Sequence, residues 1–211
     1  MNAHTFVSQL SQISLPNVFN PYRDICYEHD HSGSPTIRRL NLQLYLESAI
    51  ACGANSVWLG RDCGYRGARR TGIALTDEVH LEALARHLGV SGMVKATAGG
   101  SFKERTATEV WKIIREVNAM VFLWNIFPFH PFETGNQMTN RRHTAHEFDE
   151  CKYLLLSLLE LVKPKRIVAL GADSQNATLR LGLHVSPVRH PSYGGQIEFA
   201  AAIRRLYTQN G

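Results

Sequence analysis

Four short, apolar and largely β-branched segments alternate with helical patterns along the chain, and this alternation limits the possible folds more than any other feature. The segments are "NSVWLG" (55–60), "AMVFLWN" (119–125), "RIVALG" (166–171) and "HVSPVRH" (184–190). Their near-continuous apolar character is typical of strands that are buried on both faces. The alternation therefore predicts an α/β fold, a three-layer αβα sandwich in which helices cover both faces of a central four-stranded parallel sheet.

Apolar spacing and capping residues predict the helices. The predicted helices cover residues 36–53, 76–89, 106–117, 144–162, 172–182 and 195–209. Two segments, 98–105 and 127–142, are rich in glycine, proline or polar residues and are predicted to be irregular. The chain has 211 residues without an evident repeat or linker, so we expect a single domain over residues 1–211.

Composition narrows the class of protein. A net charge of +5 suits a polyanionic partner but does not by itself distinguish nucleic acid from chance. No apolar run approaches the roughly 20 residues of a membrane span, and the amino terminus lacks the layout of a signal peptide, so we expect a cytoplasmic protein without membrane attachment. Four scattered cysteines without a C-x-x-C pair predict reduced thiols and no metal site.

Three polar side chains fall where predicted strands end. Asp62 follows the first strand, Asn125 ends the second, and His190 ends the fourth. Ligands of an open parallel sheet bind outside the carboxyl ends of its strands. We therefore expect an acid, an amide and an imidazole to converge on one pocket.

The segment "GRDCGYRG" (60–67) holds Asp62 among three glycines. Glycines permit tight turns and close approach of backbone amides to a ligand, so the segment is interpreted as a substrate cradle. It matches neither the phosphate-loop nor the dinucleotide-binding pattern. A surface turn with Asp62 as a turn residue is the alternative, just as Asn125 could cap a turn and His190 could bind a backbone carbonyl.

Taken together, the motifs resemble those of the uracil-DNA glycosylase superfamily. The first superfamily motif corresponds to "GRDCG" and the second to "HPS" (190–192), while "FLWN" supplies the strand that ends in asparagine and "IVALGADS" resembles the strand-to-helix segment of the same fold. The resemblance spans about residues 55 to 195, with the motifs in the expected order on the expected elements. It implies the strand order 2-1-3-4.

The resemblance also implies roles. Asp62 would orient the attacking water and stabilise the sugar cation, Asn125 would read uracil, and His190 would stabilise the departing base. The expected activity is that of a monofunctional, cofactor-free uracil-DNA glycosylase that flips the base out of DNA, double- or single-stranded, and leaves an abasic site in base excision repair. We expect a monomer.

Further residues are expected to line the substrate and the DNA. Those expected to contact the substrate are Gly60, Arg61, Cys63, Gly64, Tyr65 and Leu75. Those expected to contact DNA are Arg66, Arg69, Arg70, Arg189, Ser192 and Tyr193.

Several positions depart from the superfamily pattern, among them Cys63 in place of the usual motif proline and Arg61 where iron–sulfur members carry a catalytic glutamate. Gly64 stands where strictly uracil-specific members have a tyrosine that excludes thymine, and Leu75 stands where a phenylalanine stacks on the base. The wedge leucine after "HPS" is replaced, which makes Tyr193 the candidate for its place. Two alternatives therefore stay open: a broader glycosylase acting on mismatched uracil or thymine or on deaminated purines, and a non-catalytic binder of abasic or single-stranded DNA.

Overall fold

The structure, a computed structural model, describes residues 1–208. Its helices and strands follow one another in this order: α1 (Ala3–Gln12), β1 (Val18–Phe19), α2 (Ser34–Ala51), β2 (Ser56–Asp62), α3 (Ala68–Thr71), a 3-10 helix (Glu78–His80), α4 (Leu81–Leu88), α5 (Arg105–Val117), β3 (Val121–Phe127), β4 (His130–Pro131), α6 (Ala145–Val162), β5 (Arg166–Leu170), α7 (Ala172–Arg180), β6 (Ser186–Val188) and α8 (Gln196–Thr208).

The strands β2, β3, β5 and β6 form one parallel sheet in the order β3-β2-β5-β6. Counted along the four predicted strands, this order is 2-1-3-4. Helices flank the sheet, so the predicted α/β fold class and strand order are both confirmed. Because all four strands run in the same direction, their carboxyl ends meet at one edge of the sheet.

The apolar strands form the core because they have no solvated face. Trp58 of β2 and Trp124 of β3 are almost fully buried, and the hydrophobic core extends from α1 to α8. At the opposite edge from the strands' carboxyl ends, the hydroxyl group of Tyr207 on α8 accepts a hydrogen bond from the Trp58 indole at 2.8 Å. These contacts join the last described helix to the central strand.

Helix α1 is an element that the sequence interpretation missed. It begins at an Asn2 cap, whose side chain accepts a hydrogen bond from the Thr5 amide, and it buries Phe6, Val7 and Leu10. These three residues have the spacing of a helical face, so the apolar periodicity was present in the sequence. The helix packs against α2 and α6 and closes the core on that side.

The other differences concern short elements and boundaries. The segment 127–142 contains β4, which pairs with β1 in a two-stranded antiparallel sheet, and the helix predicted over 76–89 is divided into the 3-10 helix and α4. Asn125 does not end its strand, because β3 continues through buried Ile126 and Phe127. The helix predicted to reach residue 209 is described to Thr208, and Gln209 lies outside the described residues.

Two further findings concern the helices and the thiols. No helix within residues 1–208 combines the length and apolar character needed to cross a bilayer. All four cysteines are free, and Cys52 is the exposed one among them.

Candidate active site

The pairing of β2 with β3 sets the position of the Asn125 amide. Asn125 lies opposite Gly60 in the parallel register, and Asp62 lies opposite Phe127. Residues two apart on a strand point to the same face, so Gly60 and Asp62 share a face of β2. A Cβ atom on Gly60 would overlap Oδ1 of Asn125 and would lie 3.1 Å from Leu75. The missing side chain at Gly60 therefore leaves the space that the amide occupies.

The polar atoms of Asn125 form fewer hydrogen bonds than those of most buried side chains. The residue is 1% exposed, and its Nδ2 donates only a weak hydrogen bond, 3.6 Å long, to Sγ of Cys63. Its Oδ1 is buried and has no hydrogen-bond partner among the described residues. Buried polar atoms are nearly always paired, so an unpaired acceptor at the ligand-binding edge of a sheet indicates a place where a ligand donates.

Asp62 is held from two sides. Its Oδ1 accepts a hydrogen bond from Nδ1 of His143, and its Oδ2 accepts one from Nε of Arg61 at 2.6 Å. The guanidinium of Arg61 continues to Asp173 of α7, 2.8 Å away. The side chain of Asp62 is 5% exposed, so the two cationic or polar donors compensate for the cost of burying a carboxylate.

His143 is a site residue that sequence reasoning missed. Its ring stacks between Phe127 and Phe148, with ring centroids 5.2 Å and 5.6 Å away. Both aromatic contacts fix the ring orientation, so His143 can hold the Asp62 carboxylate in one rotamer. The sequence around it, "NRRHTAHE", is polar except for one alanine, and no motif or apolar spacing distinguishes this histidine from a solvated one.

His190 is held in one tautomer by the turn that follows it. Its Nδ1 accepts a hydrogen bond from the Ser192 amide at 3.2 Å and lies 2.7 Å from the Ser192 hydroxyl group. An accepting Nδ1 places the proton on Nε2. Burial, assisted by the nearby Arg61 charge, lowers the pKa of His190. At neutral pH the side chain is thus a neutral imidazole with an Nε2–H group free to donate.

The start of α7 provides the space for His190. Gly171 has φ of +88°, and a Cβ atom at this position would lie 3.1 Å from Cβ of His190. Gly171, His190, Ser192 and Tyr193 are among the residues that line an open cavity of about 350 Å³, formed by the start of α7, β6 and the turn after β6. The strand-to-helix segment "LGADS" therefore contributes to the site by allowing the histidine to approach.

The residues predicted to contact the substrate cluster around these groups. Cys63 is buried and its thiol donates to the Pro128 carbonyl at 3.2 Å. Leu75, with φ of +55°, reaches the space above Gly60. The amide of Tyr65 donates to the Asn140 side chain at 3.1 Å, and Arg66 lies over the Tyr65 ring. Gly64 packs against the carboxyl group of Glu104, which sequence reasoning did not identify.

The prediction that Arg69 and Arg70 contact DNA is wrong. Arg69 is 1% exposed, its guanidinium binds the Gln137 carbonyl at 2.5 Å, and it lies 4.0 Å from the centre of the Phe19 ring. Arg70 is 3% exposed and forms an ion pair with Glu78 at 3.1 Å. Both side chains are used inside the fold, where a phosphate group has no access.

The remaining residues predicted to contact DNA lie at the surface or at the cavity. Arg66 is exposed, and Arg189 is exposed with Glu198 3.5 Å away. Tyr193 is 95% exposed in a left-handed backbone conformation, with φ of +52°. Ser192 is half-buried through its contact with His190.

Comparison with known protein families assigns the chain to a family. The model of the uracil DNA glycosylase superfamily matches residues 50–206, about three quarters of the chain. The chain belongs to the uracil DNA glycosylase superfamily. This membership makes it a DNA glycosylase, a hydrolase of N-glycosyl bonds, with a function of the uracil-DNA glycosylase type. The predicted family and enzyme class are confirmed.

A solved structure supports the fold of this superfamily member. The crystal structure of wild-type Pedobacter heparinus SMUG2 superimposes with a TM-score of 0.66 at 14% sequence identity, covering 100% of this chain and 99% of that chain. At this identity the similarity shows the shared fold. No curated protein matches the sequence.

Proposed function

We propose that the chain is a monofunctional uracil-DNA glycosylase, which hydrolyses the N-glycosidic bond of uracil in DNA and leaves an abasic site. The observation that carries this proposal is the Asn125 amide, whose buried Oδ1 has no hydrogen-bond partner in the described structure. An unpaired acceptor of this kind costs about 1–3 kcal/mol unless a ligand donates to it. Uracil supplies such a donor at N3–H.

The same amide discriminates against cytosine. Oδ1 of Asn125 accepts from uracil N3–H, and Nδ2, now bound weakly to the Cys63 sulfur, donates to uracil O4. Cytosine carries an acceptor at N3 and an amino group at N4, so it presents the opposite pattern. Binding cytosine would leave buried groups unmatched on both sides.

Asp62 acts on the sugar. Heterolysis of the bond between C1′ and N1 leaves both electrons on the base and a cation on the sugar, and the carboxylate stabilises this cation. A water molecule then attacks C1′ and transfers a proton to Asp62. Each carboxylate oxygen has two lone pairs, so Asp62 can bind this water while it keeps its bonds to His143 and Arg61.

His190 acts on the departing base. The uracil anion carries negative charge on O2, and the Nε2–H group of the neutral imidazole can donate to this oxygen. The hydrogen bonds of Ser192 to Nδ1 hold the ring in the donating tautomer. The motif segments 60–67 and 190–192 contain no lysine, so no amine is available there to form a Schiff base and cut the strand.

Base excision on defined oligonucleotides tests this proposal. The substrates carry uracil, a thymine mismatch, hypoxanthine or xanthine, each in single- and double-stranded form, with Asp62→Asn as the inactive control. We expect uracil to be released, with an intact strand until the abasic site is cleaved by alkali. Strand cleavage without alkali would contradict the monofunctional assignment, and preferred release of a purine would favour the broader glycosylase.

A further inference from the structure

Glu104 brings a second carboxyl group to the loop that carries Asp62. The backbone amide of Glu104 donates to Oδ2 of Asp77 at 2.6 Å, which fixes the residue just before α5. Its carboxyl group lies over the glycine loop: a Cβ atom at Gly64 would be 3.0 Å from Oε1, and one at Gly67 would overlap Oε2. The two glycines therefore make room for this carboxyl group.

The surroundings of the Glu104 carboxyl group bring its pKa close to neutral pH. Within residues 1–208 it has no hydrogen bond or ion pair with another side chain. Burial and the Asp77 carboxylate raise the pKa of Glu104, the Arg66 guanidinium lowers it, and the net result is a pKa of about 7. The charge of Glu104 also acts on the Cys63 thiol. Near neutral pH both the acid and the carboxylate are present.

Contacts through two loop residues connect the Glu104 carboxyl group to the Asn125 amide. Cys63 accepts the weak hydrogen bond from Nδ2 of Asn125, and the next residue, Gly64, contacts the Glu104 carboxyl group. Burial raises the pKa of the Cys63 thiol, and the charges of Asp62 and Glu104 act on the thiol in the same direction. Gly64 is thus the one loop residue between the Glu104 carboxyl group and Cys63, whose sulfur contacts the Asn125 amide.

We propose that Glu104 is a second functional carboxyl group of this site, which lines the base pocket beside Gly64 in its protonated form and opposes departure of the anionic base in its ionised form. This inference rests on the proposed function, because it requires a base that leaves as an anion. A neutral carboxylic acid beside the pocket is compatible with that anion. A carboxylate at the same place repels it, and the low dielectric of a partly buried site strengthens the repulsion.

The proposal predicts how excision depends on pH. Glutamine has the shape of the protonated acid and does not ionise, so Glu104→Gln keeps the favourable form at every pH. The wild-type protein loses that form as the pH rises through about 7. His190 does not produce a decline specific to the wild type, because burial lowers its pKa and the same histidine is present in the wild type and in both Glu104 variants.

Single-turnover excision of uracil, with enzyme in excess and at saturating DNA, tests the proposal because it separates the rate from DNA binding. The rate is measured from pH 5.5 to pH 9 for the wild type, Glu104→Gln and Glu104→Ala. Glu160→Gln is the matched control, since Glu160 is exposed near the end of α6, at the opposite edge of the sheet. Between pH 6 and pH 8.5 we expect the wild-type and control rates to fall by about fivefold relative to that of Glu104→Gln.

The outcomes separate the two proposals. Glu104→Ala also lacks the charge, so it should share the profile of Glu104→Gln even if its absolute rate is lower. A wild-type profile parallel to those of both variants would overturn the role of Glu104 and leave the uracil assignment intact. Absence of uracil release by the wild type at every pH would overturn the uracil assignment, and the inference about Glu104 with it.

Discussion

At the scale of single residues, the Asn125 side chain carries more information about the substrate than any other group in the site. Its Nδ2 binds a sulfur atom weakly, and its buried Oδ1 is unpaired among the described residues. A structural asparagine at a turn would satisfy both atoms with backbone groups. The interpretation of Asn125 as a turn cap therefore loses its support, since the residue also lies within β3.

Asn125→Asp tests how the base is read. The variant keeps the shape of the side chain but replaces the donor to uracil O4 by an acceptor, so uracil excision should fall by at least about tenfold. Cytosine offers its N4 amino group to that oxygen, and the variant should gain weak activity on cytosine. This gain should increase at mildly acidic pH, where a proton can be shared between cytosine N3 and the new carboxyl group. Excision of both bases across pH provides the measurement, and unchanged uracil activity would refute the reading role.

Asp62→Asn separates chemistry from binding. The amide cannot take a proton from water or stabilise the sugar cation by charge, so single-turnover excision should fall by about a hundredfold or more. DNA binding should remain near the wild-type level because removing a negative charge reduces repulsion from phosphates. Excision rates and a binding titration on the same oligonucleotide measure the two effects. Wild-type excision by this variant would show that Asp62 does not take part in the reaction.

Glu104 should also make stability depend on pH. The pKa of its carboxyl group rises from 4.5 to about 7 on folding, so the folded state binds the proton more tightly than the unfolded state does. The resulting stabilisation is complete below pH 4.5 and is lost as the pH rises through about 7. Glu104→Gln lacks this loss, so its free energy of unfolding should gain about 2 kcal/mol on the wild type between pH 5 and pH 8. Urea denaturation at the two pH values measures the difference, and a gap independent of pH would argue against the raised pKa.

At the scale of elements, the pairing of β2 with β3 places the catalytic and base-reading residues in one register. Gly60 is the position where this pairing is most sensitive to a side chain, because Asn125 and Leu75 occupy the space in front of it. The strand could hold an alanine there only by displacing the amide. Gly60 therefore links the packing of the sheet to recognition of the base.

Gly60→Ala should remove most of the excision activity while the protein remains folded. The added methyl group overlaps Oδ1 of Asn125, and overpacking of this kind costs about 1–3 kcal/mol. Gly100→Ala is the matched control, because a Cβ atom at Gly100 meets nothing within 4 Å. Excision rates and thermal melting of both variants provide the measurement. If Gly60→Ala excises uracil as fast as Gly100→Ala does, the amide does not need its present position.

The elements that the sequence predicts best are those with a long periodic pattern. The four parallel strands and the major helices follow from apolar spacing, and the direction of the strands explains why Asp62, Asn125 and His190 all lie toward the carboxyl edge of the sheet. The contact of His143 with Asp62 could not be predicted, because it joins residues 81 positions apart without a local pattern. The burial of Arg69 and Arg70 could not be predicted either, since arginine in a glycine-rich loop usually lies in solvent. It depends on contacts with residues distant in sequence or outside the motif, Phe19 for Arg69 and Glu78 for Arg70.

At the scale of the whole molecule, the net charge of +5 is compatible with binding to DNA, but not every basic residue contributes to it. Two of the four arginines first assigned to the phosphates are consumed by internal contacts. Arg66 and Arg189 remain exposed near the carboxyl edge of the sheet. These two arginines therefore remain candidates for phosphate contacts.

The salt dependence of DNA binding should distinguish these candidates. Arg66→Gln and Arg189→Gln should each lower the slope of log K against log salt concentration by about one, because each lost phosphate contact releases one counterion fewer. Lys165→Gln is the control, since Lys165 lies just before β5, at the opposite edge of the sheet. Binding titrations at several salt concentrations measure the slopes. Equal slopes for all three variants and the wild type would place the DNA elsewhere on the surface.

The distribution of thiols has a practical consequence for following the reaction. Cys26, Cys63 and Cys151 are buried, whereas Cys52 is exposed where α2 ends, at the amino edge of the sheet. The seven residues of β2 span roughly 20 Å at about 3.3 Å per residue, and they separate this edge from Asp62. A maleimide dye should therefore attach at Cys52 alone in the folded protein, without mutagenesis. The labelled protein would report DNA binding by anisotropy while its active-site loop stays chemically unmodified.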